Sequence, residues 1–418
     1  MSTIIQKILA DHSGKSKVAV GDYVVANIDI AMIPEGLREV HDTAVKEGLK
    51  DGLPKIWDPS KVVTFFDHVS PITSMKTANV AKASREITSS YGVSYYDINE
   101  GICHEVMPEK GHVWPGGLIV GKDSHSTTYG AFNAAGIPIG TSEMVYALVK
   151  GELWFRVPET IQFNLQGKLP PFVMAKDIFL HVAGKYSSEV AQYKSIEWRG
   201  DGASRLSIDG RMCISEASVE LGAKCGIFEA DATTLAWLSG RVKGTMCPVK
   251  ADPDAEYEQT YNVNVSNLEP QVAKPHFVEN VVPVTEVEGT KVDQAVIGSC
   301  ANGRLEDLRI AANIMKGKKR NPDTRFYVTP ASAEVARKAM DEGIIQVLIE
   351  AGALVTNPCC GTCTGFLGVL ADGEKCIAAT PRNFLGRMGS TKASIYLGSP
   401  ATVAASAIKG EITDPRRI

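Results

Sequence analysis

The chain has 418 residues, 44% of them hydrophobic and 22% charged. This is ordinary globular composition, which excludes a disordered, collagenous or coiled-coil chain, and the length suggests two to four domains. Lys plus Arg (44) against Asp plus Glu (48) gives a net charge of -4, so there is no broad basic field for nucleic acid and no polybasic membrane anchor.

In chain order, Ile4, Ile5, Ile8 and Leu9 follow helical spacing, with Gly14 as the stop. This opening lacks the apolar core of a signal peptide, and no run approaches about 18 apolar residues, so a cytoplasmic protein without a membrane span is expected. The β-rich run 62–66 ends in Asp67-His68, and the run 117–121 ends in Lys122-Asp123-Ser124-His125. Val157-Pro158-Glu159-Thr160 follows a helical stretch and opens a strand over 161–165, which marks a boundary. Residues 270–290 are rich in Pro, Val and Glu without helical period and read as a linker. A strand over 295–298 then ends in Ser299-Cys300. The spacing predicts a helix over 305–316, a strand over 325–328 and a helix over 331–340. This alternation argues for an α/β fold with largely parallel sheets, whose ligands bind beyond the strand ends.

Nine cysteines, an odd number with three inside residues 359–363, point away from a disulfide framework and toward metal or reduced thiols. In Cys359-Cys360-Gly361-Thr362-Cys363 the natural pair is Cys360 with Cys363. Gly361 permits a tight turn between them, and Cys359 is either an extra ligand or a buried bystander. A zinc site would want a second such pair, and no clear redox helix follows to suit a thioredoxin-like pair. Cys300 alone reads as a small hydrophobe. Together with Cys360 and Cys363 it suggests a 4Fe-4S cluster with three protein ligands, leaving one iron open as a Lewis acid.

Asp67-His68 sets a carboxylate beside an imidazole, and Asp123-Ser124-His125 repeats the combination, with Cys103-His104-Glu105 between them. A carboxylate fixes the tautomer of an imidazole and supports its charged form, which suits proton transfer to a leaving hydroxyl. Arg382 and Arg387 could clamp a carboxylate through guanidinium forks. Glu216 and Glu220, four apart, read by themselves as an ordinary exposed helix face. Residues 116–122 spell Gly-x-x-x-x-Gly-Lys, but Asp123 follows where a phosphate loop needs Ser or Thr.

The segments Phe66-Asp67-His68, Glu100-Gly101-Ile102-Cys103-His104, Gly121-Lys122-Asp123-Ser124-His125-Ser126, Gly298-Ser299-Cys300-Ala301-Asn302-Gly303-Arg304, Cys360-Gly361-Thr362-Cys363 and Arg382-Asn383-Phe384-Leu385-Gly386-Arg387 span nearly the whole chain. In them the chain resembles the aconitase superfamily, specifically the large subunits of the two-subunit isopropylmalate dehydratase and homoaconitase enzymes. The resemblance implies three α/β/α domains, at 1–157, 158–287 and 288–418, around a 4Fe-4S cluster held by Cys300, Cys360 and Cys363. It implies that His68, supported by Asp67, protonates the leaving hydroxyl, with His104, Asp123, Ser124, His125 and Glu220 in the surrounding shell. Arg382 and Arg387 match arginines that hold the carboxylates of a small hydroxy acid. The family's swivelling fourth domain, with its serine base, has no counterpart in these segments, so a separate small subunit is expected and the isolated chain is expected to be nearly inactive.

Several positions depart from the family pattern. Glu216 and Pro381 stand where Asn is usual, Ala301 replaces Thr, and Ile33-Pro34-Glu35 lacks a polar pattern common near substrate. A homoaconitase or a methyl- or dimethylmalate dehydratase is therefore the alternative substrate reading. An iron-responsive RNA-binding regulator is the alternative from another class, and the acidic net charge weighs against it.

Overall fold

Val62–Phe65 is buried along its whole length, as a strand covered on both faces must be. The computed structural model describes residues 1–243 and 246–418. It places Val62–Phe65 in a five-stranded parallel sheet, in the order Tyr95–Tyr96, Val62–Phe65, Ile30–Pro34, Leu118–Gly121, Ala135–Pro138. A second sheet, also parallel, runs Cys225–Phe228, Ser195–Arg199, Thr160–Gln166, Gln259–Asn264. The third has seven strands. Five are parallel, ordered Ser394–Leu397, Lys375–Ala378, Gln294–Gly298, Arg325–Thr329, Leu354–Val355.

Two segments differ from the sequence reading. Within the expected linker, Gln271–Ala273 and Val281–Pro283 add antiparallel to the edge of the seven-stranded sheet. Strands of three residues are too short to show a period, so their pattern was lost among the prolines. Before the boundary at 157, Glu152–Arg156 pairs antiparallel with Tyr23–Asn27, so the helix Thr141–Lys150 does not lead directly into it. The expected helices form as Ile4–His12, Leu305–Met315 and Ala333–Asp341. The last begins later than its apolar pattern because the Ser332 hydroxyl accepts from Val335 N and caps it.

One apolar cluster joins Phe65 of the first sheet to Cys103, to Met212 on the helix Ile208–Ala217 and to Cys300 just beyond the strand Gln294–Gly298. Beside it, Trp198 is buried and stacks on Phe163 with centroids 4.8 Å apart, a contact worth about 1 kcal/mol beyond its area. Its indole Nε1 donates to Ser218 Oγ at 3.1 Å, which fixes the turn Ser218–Leu221 and so the position of Glu220. Among the described residues no helix is long and apolar enough to cross a membrane.

Candidate active site

The buried strand Gln294–Gly298 delivers Cys300. Gly298 sits at φ +152, where an added Cβ would lie 2.8 Å from Thr329 Cβ. Ser299 follows at φ +61, a left-handed conformation that strains a non-glycine residue by about 1–3 kcal/mol. The surroundings hold it there. Buried Arg304 donates from Nη1 to Ala301 O at 2.9 Å and from Nε to Glu105 Oε2 at 2.8 Å, and Arg304 N donates to Asp307 Oδ2.

The second cysteine loop is tied to the first strand end, because Cys360 N donates to Asp67 O at 3.0 Å. The tight turn read between the two cysteines forms, with Cys363 N donating to Cys360 O at 3.1 Å, and it needs no left-handed residue at Gly361. Space is what requires glycine here, since an added Cβ would lie 3.0 Å from Leu367 Cγ and 3.2 Å from Cys359 Sγ. The Cys360 thiol neighbours those of Cys300 and Cys363, so three sulfurs converge. The neighbouring Cys360 thiol and then the Arg387 guanidinium pull Cys363 down toward thiolate against burial, and Arg387 Nη2 lies 3.1 Å from its sulfur. Cys359 stands apart, its buried Sγ accepting from Gly361 N at 3.4 Å. All nine cysteines are free thiols.

The imidazoles pair differently from the order of the sequence. His68 Nδ1 lies 2.9 Å from Asp67 Oδ1, as the adjacency suggests. Its Nε2 faces Asp123 Oδ2 at 3.4 Å. A ring with a carboxylate at each nitrogen is a double donor, hence an imidazolium. Burial opposes that charge, but the two carboxylates outweigh it and hold the His68 pKa well above the usual value. Asp123 makes its short contact with His104 Nε2, at 2.8 Å, rather than with the ring of His125, whose Nδ1 is 3.8 Å away. It caps the turn Ser124–Phe132 by accepting from His125 N at 2.8 Å. Burial raises the Asp123 pKa, yet His104 and His68 together hold it well below the carboxylate range. His68 keeps 25% of its side chain exposed, against 2% for His104 and 7% for His125. It is therefore the imidazole best placed to meet a substrate.

Glu220 bridges His125 Nε2 at 3.2 Å and Arg382 Nε at 2.6 Å, and Arg382 Nη2 donates to Ser124 Oγ at 2.9 Å. Asn383 anchors this arginine loop, donating to Lys274 O at 2.9 Å. The helix Ile208–Ala217 buries Glu216 at 1% exposure, which overturns the exposed-face reading. Neither of its oxygens has a hydrogen-bond partner. Arg304 Nη2, also without a partner, lies 3.6 Å from Glu216 Oε2.

Sequence reasoning missed two positioning groups. Glu35, at φ +60 beyond the strand Ile30–Pro34, accepts from the backbone N–H of Asp67, His68 and Val69 at 3.1, 2.8 and 3.3 Å, and so pins the loop that carries His68. The only signal was a lone carboxylate after a wholly apolar strand. The other is the Glu105–Arg304 pair, with both side chains nearly sealed from solvent.

Three neighbouring thiols, an imidazole held charged and two guanidiniums are linked through these contacts, the constellation that the resemblance to the aconitase superfamily implies. Residues 7–410 match the Aconitase family (aconitate hydratase). The chain belongs to the aconitase family, and it is a hydro-lyase. It is 47% identical over 416 residues to the 3-isopropylmalate dehydratase large subunit 1 of Methanopyrus kandleri, covering 99% of each chain. To the 3-isopropylmalate dehydratase large subunit of Halothermothrix orenii it is 44% identical over 419 residues, covering 100% of this chain and 99% of that one. The solved holo-form of Thermococcus kodakaraensis aconitase X shares the fold at a TM-score of 0.51 and 12% identity, over 91% of this chain and 90% of that one.

Proposed function

We propose that this chain is the large catalytic subunit of a two-subunit 4Fe-4S hydro-lyase that reversibly dehydrates and isomerises 3-isopropylmalate. The observation that carries the reading is the convergence of Cys300, Cys360 and Cys363 beside the Asp67–His68–Asp123 array and Arg382. Relatives named 3-isopropylmalate dehydratase large subunit, 44–47% identical along almost their whole lengths, support the substrate and a separate small subunit.

The residues fit the cluster. Three buried thiols, one already drawn toward thiolate, form a soft donor set, and no second Cys-x-x-Cys pair competes for them. Cys300, Cys360 and Cys363 would hold it, and when bound it supplies a Lewis-acidic iron with no protein thiolate. The rest of the work falls to side chains. Arg382 and Arg387 take the substrate carboxylates in bidentate contacts. Glu220 aligns Arg382 and His125. His68 gives its proton to the departing hydroxyl, which leaves as water. Asp67 and Asp123 keep His68 charged until that moment, Glu35 fixes its backbone, and His104 and Ser124 complete the hydrogen-bonded wall. The base that takes the carbon-bound proton belongs to the partner.

The sheets support three domains at 1–157, 158–287 and 288–418, although two edge strands of the last sheet, at 271–283, reach back into the second. Nine free thiols suit a reducing compartment such as the cytoplasm. The test is turnover by the anaerobically reconstituted large and small subunits on 3-isopropylmalate, a dimethylmalate and a homocitrate-type acid. Highest kcat/KM on 3-isopropylmalate, with little activity from the large subunit alone, supports the proposal. Preference for another acid, or full activity of the single chain, overturns it.

A further inference from the structure

Among the described residues three clusters of side chains offer metal-binding atoms close together. In two of them, Glu35–Asp67–His68 and His104–Asp123–His125, the carboxylates already accept short hydrogen bonds. The third joins His125, Glu216 and Cys300, whose donor atoms all lie within 4.8 Å of one another. Here Glu216 is 1% exposed and both of its oxygens lack a partner, a condition that costs free energy unless something satisfies it. Arg304 Nη2, 3.6 Å away, is too distant to do so as a hydrogen bond.

We propose that His125, Glu216 and Cys300 form a mononuclear site for a borderline divalent cation in the chain that does not yet carry its cluster. One imidazole, one carboxylate and one thiolate make a mixed N, O, S donor set, which suits Zn2+. Binding forms one S–Zn bond at Cys300 and releases its thiol proton to the buffer, with no change of oxidation state. Glu216 exchanges an unsatisfied burial for a metal–oxygen bond. Because Cys300 serves both sites, the cation and the cluster exclude each other; this exclusion rests on the cluster reading above, whereas the cation site itself does not. A chain that meets Zn2+ first is barred from assembling its active centre.

The test uses the full-length chain purified cluster-free under chelation, with Zn2+ followed by calorimetry and Co2+ as an absorbing substitute. We expect one ion per chain and a thiolate-to-cobalt band. E216Q and H125N should each weaken binding by more than roughly a hundredfold, beyond the ~10–100-fold that outer-shell changes cost. C363S, which removes a proposed cluster ligand but no ligand of the cation, should bind as the wild type does. One equivalent of Zn2+ added beforehand should block iron uptake by the wild type. Unchanged affinity in both E216Q and H125N, or loss in a folded C363S, means that the three thiols hold the ion themselves and overturns the site. If reconstitution loads no iron while the variant pattern holds, the cation site stands and the cluster reading alone fails.

Discussion

Replacing Asp123 by Asn should move the alkaline limb of the pH–rate profile to lower pH. Asp123 Oδ2 lies 3.4 Å from His68 Nε2. Two unit charges at that distance interact by about 1 kcal/mol in water and about 5 kcal/mol at an effective dielectric of ~20. With a quarter of His68 exposed, screening favours the lower part of that range. One pKa unit corresponds to about 1.4 kcal/mol, so the charge of Asp123 raises His68 by roughly one unit or more. The sign follows directly. Carboxylate neighbours favour the imidazolium, the acid form is present below the raised pKa, and it is lost as pH rises through it. Removing one neighbour brings that loss to lower pH. Rates across pH with the reconstituted subunits, beside NMR titration of carbon-labelled histidine, measure the shift. An alkaline limb and a His68 titration that both stay in place in D123N would refute the assignment of His68 as the acid.

The loops that carry these residues respond to substitution in distinct ways. C300S, C360S and C363S should each lose most of the reconstituted iron, whereas C359S should keep it, because the Cys359 sulfur faces Gly361 N outside the triad; iron analysis decides. R304M strands the buried Glu105 carboxylate, now 2.8 Å from its guanidinium, and should cost about 3–5 kcal/mol in urea unfolding, with the E105Q/R304M double variant recovering part of it. E35A removes the acceptor for three backbone N–H groups of the His68 loop. It should lower kcat by about a hundredfold through misplacement of the imidazole while iron content stays near that of the wild type.

Much of this was written locally in the sequence. Runs such as Val62–Phe65 and Gln294–Gly298 are mostly apolar and give way to Asp67-His68 and Ser299-Cys300, so strand ends and reactive residues could be read together. Cross-chain partnerships could not. Asp123 chooses His104, nineteen positions earlier and on a different element, over its near neighbour His125. The burial of Glu216 arises because the helix Ile208–Ala217 is buried at almost every position, with Met212 packed into the cluster that holds Phe65 and Cys300, and its one-dimensional pattern of charges does not carry that enclosure. The edge strands at 271–283 were hidden for the opposite reason, being too short to carry any pattern.

The central claim is that Cys300, Cys360 and Cys363 present one cluster with an iron that substrate can reach. Mössbauer spectroscopy of the iron-reconstituted chain, with and without 3-isopropylmalate, tests it most directly. The account predicts a single iron site whose parameters change on adding the acid while the others stay fixed. A chain that takes up no iron, or a spectrum in which every iron site is indifferent to the acid, would contradict it.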